Sequence, residues 1–351
     1  MQFTTNGTFR SGLATNDDNG DTFSIVGMRG SSTIFSGDNI LTGSNDSEAM
    51  IYDLTLNGTQ AFRFQNVTIF DLGGGNDLLD LTSSRAQYGG QVTATGGAGN
   101  DTIWLGSNGG TAYGEAQSAI TLLGAGSDDI VGSTVQDTIY GDFQSLSATR
   151  LLGADVIKGE GGTDTLVGDV GSVASGVTLT FAADTIDAGE GQDTVAGDAM
   201  TGNQGMTGAA DQLFGGDSDD TIYGDWSSLN SGSGTTLGGA DVIEGGAGND
   251  QLWGDGPANS GQTVGISADR FVFDPGSNND TIHDFQGEGV AGGDVIDLTG
   301  YASVGVHSLA DITITVVGND TRLGTQGDQL LVQNTVSGGS TTLTAGDFLF
   351  A

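Results

Sequence analysis

The chain has 351 residues, with 64 Gly, 39 Asp, 6 Glu, 7 Arg and a single Lys, and a net charge of -37. So acidic a surface repels nucleic acid and anionic membranes, which excludes both as expected partners. An apolar content of 36% at that charge does not collapse unless positive charge is supplied from outside, and the absence of Cys excludes disulfide staples and thiolate metal sites.

The opening residues, "MQFTTNGTFRSG", lack the basic and apolar regions of a cleaved signal peptide, so an export route is expected elsewhere. No apolar run approaches a membrane span, and membrane insertion is not expected. Up to residue 70, "DTFSIV", "AMIYDLTL" and "AFRFQNVTIFDL" are half-buried strand patterns between Asn, Gly and Asp turns. Residues 1–70 read as an N-terminal β cap or degenerate coils, because the terminal units of a repeat array must differ from the internal ones.

Over residues 71–285 a nine-residue unit takes over, GGxGxDxUx, with U a large apolar residue. Its tight copies are "GGAGNDTIW" (96–104), "GGDSDDTIY" (215–223) and "GGAGNDQLW" (245–253). Looser copies include "GEGGTDTLV" and "AGEGQDTVA", in which Glu160 and Glu190 stand in for the second glycine, while Ser218 replaces the fourth in its copy. The aspartates align in two columns. One runs Asp137, Asp164, Asp193, Asp220, Asp250, Asp280 and extends upstream less regularly to Asp101 and Asp77; the other runs Asp128, Asp155, Asp184, Asp211, Asp241, Asp269. Their steps keep phase, so one coil carries two turns. Inserted loops (143–152, 170–181, 199–208, 226–238, 256–266) each follow a "GD" pair and are expected to protrude along one edge.

The U positions lie in β-branched or aromatic runs of about three residues, long enough only for short strands. Strand, glycine turn, strand, glycine turn is one rung of a parallel solenoid with U side chains stacked inward. Rungs about 4.8 Å apart place successive carboxylates at similar spacing, which is unfavourable unless a cation sits between them. Several carboxylates with glycine carbonyls suit calcium better than magnesium. Residues 286–351 alternate apolar and polar in "ADITITVVGND", "DQLLVQNT" and "TTLTAGDFLFA" and read as a C-terminal β cap. The fold expected is therefore all-β: a solenoid with two Gly/Asp turns per coil, lateral loops, and β caps at both ends.

The nonapeptide resembles the hemolysin-type repeat of RTX proteins. That resemblance implies a right-handed parallel β-roll, with calcium held between successive turns by the sixth-position Asp and by glycine-turn carbonyls. Carried over by position, the ligands are the carboxylates of both columns, Asp77 and Asp101 included, with the turn glycines Gly96, Gly159, Gly161, Gly215 and Gly245. Asp269, Phe271, Phe273, Asp280, Asp284, Phe285, Asp294, Ile296, Asp297, Leu298 and the closing Asp347 to Phe350 are similar to the C-terminal domain of serralysin-type metalloproteases. This second likeness adds Asp284 to the candidate metal residues and implies an uncleaved C-terminal signal read by type I secretion machinery.

Protease chemistry is not expected: there is no HExxH, and His283 and His307 lie on separate segments without a partner at ligand spacing. A polysaccharide lyase or epimerase is the enzymatic alternative, against which the cations do not cluster. The expectation is a non-enzymatic, secreted, calcium-folded roll of structural or adhesive role in a surface layer or biofilm matrix. Self-association or an extracellular polysaccharide are the expected contacts, and a glycan- or partner-binding module is the nearest competitor.

Overall fold

A computed structural model describes residues 40–43, 47–52, 67–82, 88–118, 125–230, 235–257, 263–265, 267–287, 293–338 and 340–351, together with the strand segments 2–5, 8–11, 15–16, 22–25, 54–56 and 60–62. Among these residues two 13-stranded sheets face each other, almost wholly parallel, and the chain passes between them once per half coil. A typical coil runs Val156–Gly162 in one sheet, a turn, Thr165–Val167 in the other, then a loop back to Thr185–Gly191, which pairs in parallel with Val156–Gly162. The molecule is a β-solenoid, as the repeat requires; the described helical residues are confined to the 3-10 turns Thr299–Val304, Leu309–Asp311 and Ala345–Asp347.

Each coil contributes one apolar side chain per sheet to the interior. Ile103, Ile130, Ile157, Ile186, Leu213, Ile243 and Phe271 stack along one wall; Ile139, Leu166, Val195, Ile222, Leu252 and Ile282 stack along the other, none more than 1% exposed. With strands of three or four ladder residues, this stripe is all the core a coil can own. Parallel pairing also extends upstream of residue 71, to Glu48–Ile51 and Ile69–Asp71. Downstream, Thr313–Val317, Asp320–Thr325 and Asp328–Val332 form an antiparallel meander whose last strand pairs in parallel with Asn279–Ile282, while Phe348–Leu349 ends the other sheet.

The inserted loops do more than protrude. The first segments of three of them, Phe143–Leu146, Val170–Val173 and Ala199–Thr201, pair in parallel with one another and with Ala116–Ser118 as a separate lateral sheet. Phe143, Leu146, Val170, Val173, Leu179, Phe181, Ala199 and Met206 form a second core there. Loops that look unrelated in sequence thus share an apolar first residue that stacks coil on coil. His283 is half-buried, its ring stacked 3.9 Å from that of Trp253 and its Nε2 2.8 Å from Gln251 Oε1.

Candidate calcium centres

The tight turns set the site. In the uninterrupted turns that lead to Asp77, Asp101, Asp164, Asp193, Asp220 and Asp280 the second and fourth residues take positive φ, a region open to glycine at little cost; in the turn of Asp250 only the second does, and in that of Asp137 neither. Glu160 (φ 71) at a second position and Ser218 (φ 84) and Asn278 (φ 62) at fourth positions adopt it nonetheless. The expectation that Glu190 also replaces a second glycine is corrected: Gly189 (φ 98) fills that place and Glu190 is third. The sixth residue is always carried inward at the start of the next strand.

There the aspartates form two ladders. Along one edge the N–H of Asp77 donates to Asp101 Oδ1 (2.7 Å), and Asp101 to Asp128 Oδ1 (2.7 Å). The pattern continues through Asp155, Asp184, Asp211, Asp241 and Asp269 to Asp294. Along the other edge the N–H of Gly110 donates to Asp137 Oδ1 (2.6 Å), and the steps continue through Asp164, Asp193, Asp220 and Asp250 to Asp280. Asp77 and Asp101 therefore stand in the Asp128 ladder, not upstream of Asp137 as the spacing predicted. The positions in line above Asp137 are Gly110 and Val92, so counting residues across a coil of unequal length put two aspartates on the wrong edge.

Every predicted column aspartate is at most 2% exposed. Oδ1 serves the ladder, and Oδ2 of Asp101, Asp128, Asp155, Asp184, Asp211 and Asp241 on one edge, and of Asp164, Asp193, Asp220, Asp250 and Asp280 on the other, has no protein partner. These oxygens share a small space with main-chain carbonyls. A Cβ on Gly215 would sit 2.6 Å from Asp220 Oδ2 and collide with the Gly245 carbonyl oxygen; one on Gly159 would sit 2.7 Å from Asp164 Oδ2 and collide with that of Ala188. Gly96 and Gly245 crowd Asp101 Oδ2 and Asp250 Oδ2 in the same way, whereas Gly161 faces the backbone of Glu190 at an ordinary 3.5 Å and lies away from the cradle. Two column members differ: Asp137 Oδ2 accepts from Ser133 N–H and Oγ, and Asp269 Oδ2 from Ser267 Oγ. Asp284 stands off both ladders, its oxygens taken by the N–H groups of Gly254, Asp255 and Gly256.

Burial, reinforced by neighbouring carboxylates, pushes these acids up: Asp164 to about 7, Asp220 to about 8 and Asp280 to about 9, with Asp128, Asp155, Asp184 and Asp241 well above the usual range. Ionising such a row requires compensating positive charge. Among the described residues no three His, Cys, Asp or Glu side chains converge as a side-chain cage; the donors on offer are carboxylate and carbonyl oxygens, a hard set that fits calcium. A family model described as RTX calcium-binding nonapeptide repeat (4 copies) matches residues 89–111, 123–144, 151–172, 180–199, 207–228 and 235–256. These segments are RTX calcium-binding nonapeptide repeats. They lie on a parallel β-solenoid of the β-roll kind, and the match supports calcium binding. No curated protein matches the chain.

The RTX turns come in two forms, a distinction sequence reasoning missed. On the Asp137 edge each turn is continuous. On the Asp128 edge the turns of Asp77 and Asp101 are also continuous, but from Asp128 to Asp269 the first two residues of the nonapeptide ("GE" at 114–115, "GD" thereafter) precede an inserted lateral loop, and the fourth to sixth follow it, as in Gly141, Asp142, then Gly153, Ala154, Asp155. The second-position acid closes the gap: Asp142 accepts from Gly153 N–H (2.9 Å), Asp169 from Ala182 (3.0 Å), Asp225 from Gly239 (2.7 Å), and Glu115 from Gly126. The signal was present in the glycine three residues into "LLGAD" and "LGGAD", which matches the fourth place of the repeat.

Proposed function

We propose that calcium occupies both edges of the roll, held by the free Oδ2 oxygens of the ladder aspartates and the adjacent turn carbonyls, and that the chain folds only as calcium binds. The observation that carries this reading is the row of buried, unpartnered carboxylate oxygens facing carbonyls in coil after coil. The protein is a secreted, non-catalytic roll with a structural or adhesive role in a surface layer or biofilm matrix, exported by type I machinery through its C-terminal segment. Commitment of the buried carboxylates to the ladders supports a non-catalytic role. Among the described residues no helix is long and apolar enough to cross a membrane.

A second reading, a glycan-binding module, is favoured by one feature. A cleft of about 470 Å³ on the outer face of one sheet gathers Trp104, Lys158, Asp129, Glu160, Thr82 and Ser133, an aromatic side chain among polar groups suited to a sugar. A panel of polysaccharides, offered with and without calcium, separates the readings. Calcium-dependent assembly without saturable glycan binding supports the structural role; saturable binding lost in Trp104→Ala supports the module; release of cleaved product defeats both.

A further inference from the structure

The two edges of the roll differ in charge per coil. On the continuous edge each coil buries one acid, for example Asp164 or Asp193, and the second turn position holds Ser133, an exposed Glu160, or glycine. On the other edge each coil with a split turn, from Asp128 to Asp269, buries two: the ladder aspartate and the second-position acid. Asp142, Asp169, Asp198 and Asp225 are fully buried, and Glu115 and Asp255 nearly so.

Closing the split turn occupies only part of each second-position carboxylate. Asp142 Oδ1, Asp169 Oδ1, Asp225 Oδ2 and Glu115 Oε2 are buried without a protein partner. Acids of successive coils also converge: the place a Cβ would take on Gly208 lies 2.7 Å from Asp198 Oδ2 and collides with Asp225 Oδ1, and Gly238 stands likewise between Asp225 and Asp255. Among the described residues, the ion pair shown is Arg270 with Asp297, off these acids, and the single Lys of the chain lines the outer cleft.

We infer that the loop-bearing edge is the high-affinity calcium edge, with Glu115, Asp142, Asp169, Asp198, Asp225 and Asp255 supplying a second carboxylate per coil. This rests on the calcium reading above. A stack of divalent ions with one carboxylate per coil keeps a net positive charge at every step and repels itself; with two it is neutral. Affinity at oxygen sites rises with ligand charge count, so the interrupted edge loads first. Where each lateral loop leaves the roll, it is therefore tied down by the tighter ion.

Calorimetric titration of the calcium-stripped full chain is the test, with β content at saturating calcium followed by circular dichroism. The unsubstituted protein is expected to show two classes of site. D169N with D198N, which keeps the turn-closing acceptors, is expected to weaken the tight class by roughly tenfold or more while the weak class persists. D193N with D220N, on the continuous edge, is expected to do the reverse. A single class of sites would overturn the inference, as would tight sites that survive D169N with D198N, the result expected if these acids merely share protons with one another. Absence of any calcium uptake by the unsubstituted protein would overturn the calcium reading and the inference together.

Discussion

At the scale of the residue, one aspartate does two jobs with its two oxygens. Oδ1 satisfies a backbone N–H of the neighbouring coil and Oδ2 faces the carbonyl cradle. Asp220→Ala removes both: it orphans the buried N–H of Asp193, at about 1–3 kcal/mol, and takes a ligand from ions shared with adjacent coils. Calorimetry is expected to show reduced affinity at several sites at once, and loss of one ion with the others untouched would contradict the shared ladder. At the glycines, Gly168→Ala places a methyl against the Gly197 carbonyl and Asp184 Oδ2, at a cost of about 1–3 kcal/mol, read as a lower unfolding temperature in calcium. This level was largely legible in the sequence, because GGxGxD fixes residue type at each turn position. What was not legible was which edge a given aspartate joins: that depends on the length of the preceding half coil, and Asp77 and Asp101 were misplaced for that reason.

At the scale of the element, the roll strands could be read from their apolar centres, the lateral sheet could not. Its strands are defined by stacking with the next loop, Phe143 on Val170 on Ala199, and no single loop shows a period. The clearest variant is Phe143→Ala, which empties part of the second core at a cost of about 3–5 kcal/mol. Hydrogen exchange is expected to quicken in Phe143–Leu146 and Val170–Val173 while the Ile139 and Leu166 strands stay protected; equal loss in both would mean that the two cores are one cooperative unit.

For the molecule as a whole, charge decides whether there is a fold at all. At -37, with a thin core and a glycine-rich chain that is costly to order, the roll without calcium is expected to be expanded. Circular dichroism and small-angle scattering through a calcium titration measure this directly, and a compact β-rich chain in chelator that calcium leaves unchanged would refute it. The pH dependence has a definite sign. Folded-state values of about 6 to 9 for acids such as Asp250, Asp220 and Asp280, against an ordinary 3.8, mean that the calcium-free roll binds more protons than the unfolded chain. Its stability is then greatest below pH ~4 and is lost as pH rises through about 6 to 9, whereas calcium affinity rises over the same range because ions compete with protons. Ellipticity measured against pH in chelator and in calcium should diverge in that window, and parallel curves would count against the buried ladders.

The ladders also have a direction. Every N–H donor lies on the coil nearer the N-terminus and every accepting carboxylate on the coil nearer the C-terminus, and the C-terminal segment completes the series by offering Asp294 to Asp269 and Asp328 to Gly276 and Asn278. The roll thus has a head and a tail that are not equivalent. In the carboxylate ladders, trimming a coil at the head releases an acceptor, which water can hydrate, while trimming at the tail strips donors of their partners. The carboxylate series is thus open at one end and closed at the other, like a stack of chairs in which each holds the one before it.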